Sequence, residues 1–237
     1  MQPPEKLQKR QSHDERIEGQ IEISFYTDPL CCWSWAFDQH WRTLLQNYSD
    51  QISYEYVMGG LIPRWDNYND PLNSVSKPIQ MGPVWMHASE VTHVKMKHSI
   101  WATDPPHSSY PPSIAFKTVE LQSKEAADEF LLIIRKALME GGVNISKPEH
   151  LFMLAREIQK SKFDLATFES DWKAEKGHQP FRLDLQKTKF HNIGRFPTLT
   201  FKNSDGAGIM ITGYRPYEPL KEAFLYLLNK RKKSASK

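Results

Sequence analysis

Residues 21–37 read IEISFYTDPLCCWSWAF. Ile21, Ile23 and Phe25 alternate with Glu22, Ser24 and Tyr26, and that period of two predicts a strand. Thr27-Asp28-Pro29 turns the chain. From about Trp33, the side chains Trp33, Ala36, Phe37, His40, Trp41, Leu44, Leu45 and Tyr48 recur at steps of three and four, which predicts a helix. Asn47 to Gln51 breaks that pattern, and Ile52 to Met58 reads as a second strand ended by Gly59-Gly60. The order is β-α-β, with a crossover long enough for a parallel pair and right-handed by the usual rule.

The other end of the chain supplies the complement. Thr198 to Phe201 and Gly208 to Thr212 are strand-like around a turn cluster at Asn203 to Gly208, an antiparallel hairpin. A final helix runs from about Pro216 to Asn229. Between the halves, Leu61 to Pro112 reads as loops and short helices. From Ser113 to Phe190 the pattern is helical. Ala126, Phe130, Ile133, Ile134, Ala137 and Leu138 share a face stopped by Gly141-Gly142. Ser146 to Glu149 reads as a capping box. Asp164 reads as a cap, with Phe163 and Phe168 as a hydrophobic staple, and another helix covers Gln179 to Phe190. The expected architecture is α/β: one domain over about 20–229, with sheet halves at 20–60 and 195–229 and a helical insertion at 61–194. Residues 1–19 read as a flexible leader and 230–237 as a solvated basic tail.

Composition narrows the function classes. Of 237 residues, 39% are hydrophobic and 25% charged, which is globular rather than disordered. No run approaches the ~20 apolar residues of a membrane helix, and Met1 to Gln20 holds no apolar signal core. The glycines are scattered without a phosphate-binding loop. A net charge of +3 is too even to point to nucleic acid. Neither nucleic acid nor membrane is an expected partner. The two cysteines, Cys31 and Cys32, are neighbours, so they build neither a disulfide framework nor a standard zinc site. A cytoplasmic location follows from these features. His87, His93 and His98, spaced by six and five, do not share a helix face, and no metal is assigned to them. Trp33, Trp35, Trp65, Trp85 and Trp101 read as core or groove wall.

Chemistry concentrates where the first strand meets the first helix. Cys31 stands at the helix start, where free N–H groups and the helix dipole favour a thiolate, the nucleophilic form. A pKa one or two units below that of an ordinary thiol is expected there. Ser34, one turn on, offers a further donor. Cys32 reads as a small buried side chain, with a resolving thiol or a vicinal disulfide as alternatives. Asp28 reads as a turn residue, with proton transfer to the thiol as its alternative. Pro197, after Phe196 at the start of the third strand, stands where a cis peptide is tolerated.

The helix-start cysteine, Phe196-Pro197 and the split order resemble the DsbA/FrnE-like branch of the thioredoxin superfamily over about Ile21 to Asn229. Aligned on Asp28, Trp33 and Trp35, the chain reads Cys31-Cys32-Trp33-Ser34 where relatives carry Cys-Pro-Trp-Cys. The resemblance implies that Cys31 is the nucleophile and that Pro197 is the cis-proline facing it. It also implies that Ser34 replaces the resolving cysteine, and that Ser108-Ser109 forms a small polar pair near the site. The implied function is a thiol-dependent oxidoreductase or disulfide isomerase acting on a thiol or disulfide substrate, protein or small molecule. No cofactor is required, and glutathione is a possible resolving thiol. Two alternatives stay open: a glutathione-dependent transferase or isomerase on a small hydrophobic molecule, and a non-enzymatic adaptor. The oligomeric state is not specified.

Overall fold

The computed structural model describes residues 20–234, with side chains through 230. The expected leader at 1–19 and all but the start of the basic tail lie outside the residues and side chains so described. Four strands, β1 (Ile21–Thr27), β2 (Ile52–Met58), β3 (Thr198–Lys202) and β4 (Gly208–Thr212), form one sheet in the order β2-β1-β3-β4. The β1–β2 pair is parallel, and the β1–β3 and β3–β4 pairs are antiparallel. This is a mixed α/β, thioredoxin-like architecture.

Side-chain alternation gives the sheet two faces. Ile23 and Phe25, with their partners Tyr54, Tyr56, Leu199 and Phe201, face α1 (Cys32–Tyr48). Phe25 meets Phe37 and Trp41 edge-on, both at 5.4 Å. The last helix, which spans Tyr217–Ser234, lies beside α1 on this face, with Phe224 against Tyr48. On the opposite face, Lys187 of the helix His178–Phe190 meets Ser24 and Glu55.

The remaining helices are α2 (Met81–Thr92), α3 (Ile100–Thr103), α4 (Tyr110–Glu120), α5 (Lys124–Met139), α6 (Pro148–Ala155) and α7 (Leu165–Lys173), which makes His178–Phe190 α8 and Tyr217–Ser234 α9. The stretch from 113 to 190 adds no strand to the sheet. Only α8 lies on a face, while α4 runs along the β2 edge, with Phe116 against Tyr56 and the Lys117 ammonium donating to the Tyr56 carbonyl at 3.0 Å.

Three local expectations need correction. The stretch 61–112 holds a 12-residue helix, α2, that buries Met81, Trp85 and Ala88. Pro83 looks like a breaker in sequence, but in a helix's first turn its missing N–H costs nothing. Pro111 and Pro112 sit likewise in the first turn of α4, which therefore starts three residues before Ser113. Ser146 does not cap α6. The N-cap is Lys147 with Pro148 after it, and the Ser146 hydroxyl is committed to Asn144 Oδ1 at 2.6 Å and the His107 ring at 2.9 Å. Asp164 does cap α7, accepting from the Thr167 N–H at 2.7 Å, with Phe163 and Phe168 packed 6.1 Å apart.

Candidate functional site

Cys31 is the N-cap of α1, and the helix proper begins at Cys32. Its sulfur accepts from the Ser34 backbone N–H at 3.4 Å and donates to the Phe196 carbonyl at 3.4 Å. The Phe196–Pro197 peptide is cis. Cys31, Ser34, Phe196 and Pro197 thus meet at one end of the sheet, where β1 runs out and β3 begins. The Ser34 backbone N–H makes the bond to the sulfur, and the Ser34 hydroxyl, buried and with no hydrogen bond of its own, stands near enough to favour the thiolate as well.

Burial overturns the expected low thiol pKa. Cys31 is only 5% exposed. Desolvation penalises the charged sulfur and pushes the thiol up, against the lowering influence of Ser34 and Arg135. Donation from S–H to the Phe196 carbonyl acts in the same direction, because ionisation removes that bond. Cys32 lies in the main core at 3% exposure, and burial pushes its thiol well up. Both cysteines are free thiols.

Asp28 closes the turn and does more. Its Oδ1 accepts from the Leu30 N–H at 2.8 Å and its Oδ2 from the Leu61 N–H at 2.7 Å, so it joins the cysteine loop to the segment after β2. It is fully buried, and desolvation pushes its carboxyl up to about 6 despite those two donors. Ser108 and Ser109 lie behind this segment, where they bind the Ile62 and Pro63 backbone, and the Ser109 side chain also steadies the Asp28 carboxylate.

A groove of about 680 Å³ opens over the sulfur. Its walls include Trp33, Tyr68, Leu72, Val84, Trp85 and Tyr214, with Arg195 at the cis-proline side. Trp33 stands edge-on to His87 at 5.9 Å, while Trp101 packs behind Trp85 in the core, with the half-buried Trp65 against it. No group of three or more His, Cys, Asp or Glu that could hold a metal occurs among the described residues.

Sequence reasoning missed the charged floor of the site. Arg135 of α5 is fully buried. Its guanidinium donates to the Thr27 hydroxyl, to the Asp28 carbonyl at 3.4 Å and to Asp38 Oδ1 at 3.4 Å. Asp38 also binds Arg42 at 2.6 Å, and Arg42 reaches Asp128 at 3.0 Å. The Tyr56 hydroxyl donates to Asp128 at 2.5 Å and accepts from the Trp41 ring N–H at 2.9 Å. The available signal was Arg135 amid Leu131, Ile134 and Leu138 on the buried side of α5.

Residues 25–222 match the family described as Thioredoxin. A curated relative, the ClpXP adapter protein SpxH of Halalkalibacterium halodurans, is 29% identical over 83% of this chain and 64% of its own length. The chain therefore spans less than two thirds of that relative. A structure from Nitrosomonas europaea described as a protein disulfide isomerase superposes with a TM-score of 0.73 at 20% identity, covering 89% of this chain and 98% of its own. The cytosolic disulfide reductase DsbM of Pseudomonas aeruginosa gives 0.60 at 14% identity over 91% of this chain and 98% of its own. These structures share the DsbA-like fold. No helix among the described residues is long and apolar enough to cross a membrane.

Proposed function

The chain belongs to the thioredoxin family, and from that premise we propose that it is a cytoplasmic polypeptide-binding adaptor of the ClpXP adapter kind, built on a thiol oxidoreductase fold. The observation that carries this reading is the state of Cys31. It is 5% exposed, hydrogen-bonded as a thiol, pushed up in pKa, and has Ser34 one turn away instead of a second sulfur. A dithiol cycle needs a ready thiolate and a resolving cysteine. What the site keeps is a groove walled by Trp33, Tyr68, Leu72 and Trp85, suited to apolar side chains of a client. The SpxH relative's name supports the same reading.

The test is capture of client polypeptides from a cell extract on the immobilised protein. Cys31→Ser should keep its captured set, and Trp33→Asp or Tyr68→Asp should lose it. Loss of capture in Cys31→Ser, with mixed disulfides to clients in the wild type, would favour thiol chemistry instead.

That second reading has its own support, since Cys31 Sγ caps α1 and lines the groove. Catalysis would then be monothiol, with an external thiol of the glutathione type resolving the mixed disulfide, because Ser34 has no sulfur to do so. Arg195 at the groove rim is the cationic side chain available to a carboxylate of such a thiol.

A further inference from the structure

Two charged side chains, Asp70 and Arg195, line the groove over Cys31. The Asp70 carboxylate is committed to a turn, where it accepts from the Leu72 N–H at 3.0 Å, the Asn73 N–H at 3.3 Å and the Asn73 side-chain amide at 2.6 Å. Arg195 is exposed, and its guanidinium has no ion pair or hydrogen bond among the described residues. Its backbone is held, because the Arg195 carbonyl accepts from the Thr198 hydroxyl at 2.8 Å and the cis Phe196–Pro197 peptide follows. The groove thus sets an anchored, unneutralised cation beside aromatic walls.

The neighbouring chain reinforces that charge. From Leu185 to Ser204 it carries Lys187, Lys189, His191, Arg195 and Lys202 and no carboxylate. Lys187 is paired with Glu55, and the His191 ring is bonded to the Tyr26 hydroxyl. Lys189 is exposed, has no partner among the described residues, and follows Thr188, which lines the groove. α8 closes here with the Ile193 N–H donating to the Thr188 carbonyl at 3.0 Å and Asn192 in the left-handed region, so that Ile193-Gly194-Arg195 returns to the groove wall. Trp85 and Thr188 of the same wall keep a ring N–H and a hydroxyl buried without a hydrogen-bond partner. A site with unspent donors and no free carboxylate suits an occupant rich in acceptors.

An apolar wall with a cation at its edge fits an apolar side chain with a carboxylate close beside it. A guanidinium takes a carboxylate through two parallel hydrogen bonds, and the low-dielectric wall strengthens the pair. On the reading of this groove as a polypeptide site, from which this inference starts, we propose that its clients are acidic. The bound segment places an aromatic or large aliphatic side chain among Trp33, Tyr68, Leu72 and Trp85, and sets adjacent Asp or Glu carboxylates on Arg195 and Lys189. A neutral apolar segment leaves both cations unanswered. A lysine-bearing segment brings like charges together, so the same two residues attract one class of client and reject another.

Fluorescence anisotropy of the full chain with three labelled, C-amidated peptides tests this. Their centres are Asp-Trp-Leu-Asp, Asn-Trp-Leu-Asn and Lys-Trp-Leu-Lys. The acidic peptide should bind about tenfold more tightly than the neutral one, and the basic one more weakly still. High salt should bring the three affinities together. The double variant Lys189→Glu/Arg195→Glu should invert the order and bind the basic peptide best, a reversal that no folding defect mimics. Equal affinity for the acidic and neutral peptides overturns the proposal, and loss of that shared binding in Trp33→Asp, with unchanged circular dichroism, would leave the polypeptide groove itself standing. An acidic preference that survives the double variant places the selecting charge elsewhere and overturns the proposal equally. Failure of all three peptides to bind overturns it together with the groove reading.

Discussion

The sulfur of Cys31 donates to the carbonyl of Phe196 at 3.4 Å, a bond between residues 165 positions apart. A thiol can make that bond and a thiolate cannot. The contact that assembles the site therefore also holds its sulfur protonated.

Cys31 should accordingly react sluggishly. Its alkylation by iodoacetamide at neutral pH should be slower than that of free cysteine, and the rate should climb only above the ordinary thiol pKa of about 8.5. Cys32, buried deeper in the core, should label more slowly still in the folded protein. Fast labelling of Cys31 at pH 7, with a midpoint near 7, would contradict the burial argument and restore the redox reading.

Ser34→Cys should switch on dithiol chemistry. Ser34 is buried one turn after Cys31, with an unpartnered hydroxyl, so a sulfur replaces it without breaking a hydrogen bond. The variant should reduce insulin with dithiothreitol as electron source and form an internal 31–34 disulfide, whereas the wild type should do neither. An inactive variant that folds normally would mean that the groove, rather than the missing sulfur, bars redox turnover.

Asp28 should leave a pH signature in stability. Its folded pKa, about 6, lies above an unfolded value of about 3.9. A group raised in this way contributes stability that is full below about pH 4 and lost as pH rises through about 6. The shift is worth on the order of 2–3 kcal/mol. Asp28→Asn also deprives the Leu30 or Leu61 N–H of its acceptor, at a cost of roughly 1–3 kcal/mol. Urea unfolding should therefore show the variant less stable than wild type, with the gap wider at pH 4.5 than at pH 7.5. A gap that widens toward neutral pH would reverse the sign.

Arg135→Met should be strongly destabilising. Removing one partner from a buried ion pair typically costs about 3–5 kcal/mol. The lower end is expected here, because Asp38 keeps Arg42 at 2.6 Å. Thr27 and the Asp28 carbonyl lose their donor as well. Denaturant titration checks this, and a loss below about 1 kcal/mol would remove Arg135 as the tie beneath the cysteine turn.

Much of this was readable in the chain. The strands at Ile52–Met58 and Gly208–Thr212 coincide with their apolar periods, because period-two alternation reports directly on a half-buried sheet. The meeting of Cys31 with Pro197 was reached only through resemblance, since nothing local joins residues so far apart. The Cys31 pKa departs from the sequence reading because a helix start is visible in sequence, whereas the burial of the sulfur and its bond to the Phe196 carbonyl are tertiary. Arg135 stayed hidden for a similar reason. Its partners, Thr27, Asp28 and Asp38, come from β1, its following turn and α1, and a lone arginine on an apolar face does not name its counter-ion.

The pairing of β1 with β3 has a consequence for synthesis. β1 emerges from the ribosome some 170–180 residues before its antiparallel neighbour, since Tyr26 pairs with Thr198 and Glu22 with Lys202. Until β3 arrives, one side of β1 stands open while β2 covers the other. Pairing across so long a loop is intrinsically slow, and an unpaired strand edge is prone to aggregate. A nascent chain of this kind depends on what shields β1 in the interval, so chain arrest before residue 198 should yield a protein that chaperones hold rather than one that is merely short of a hairpin.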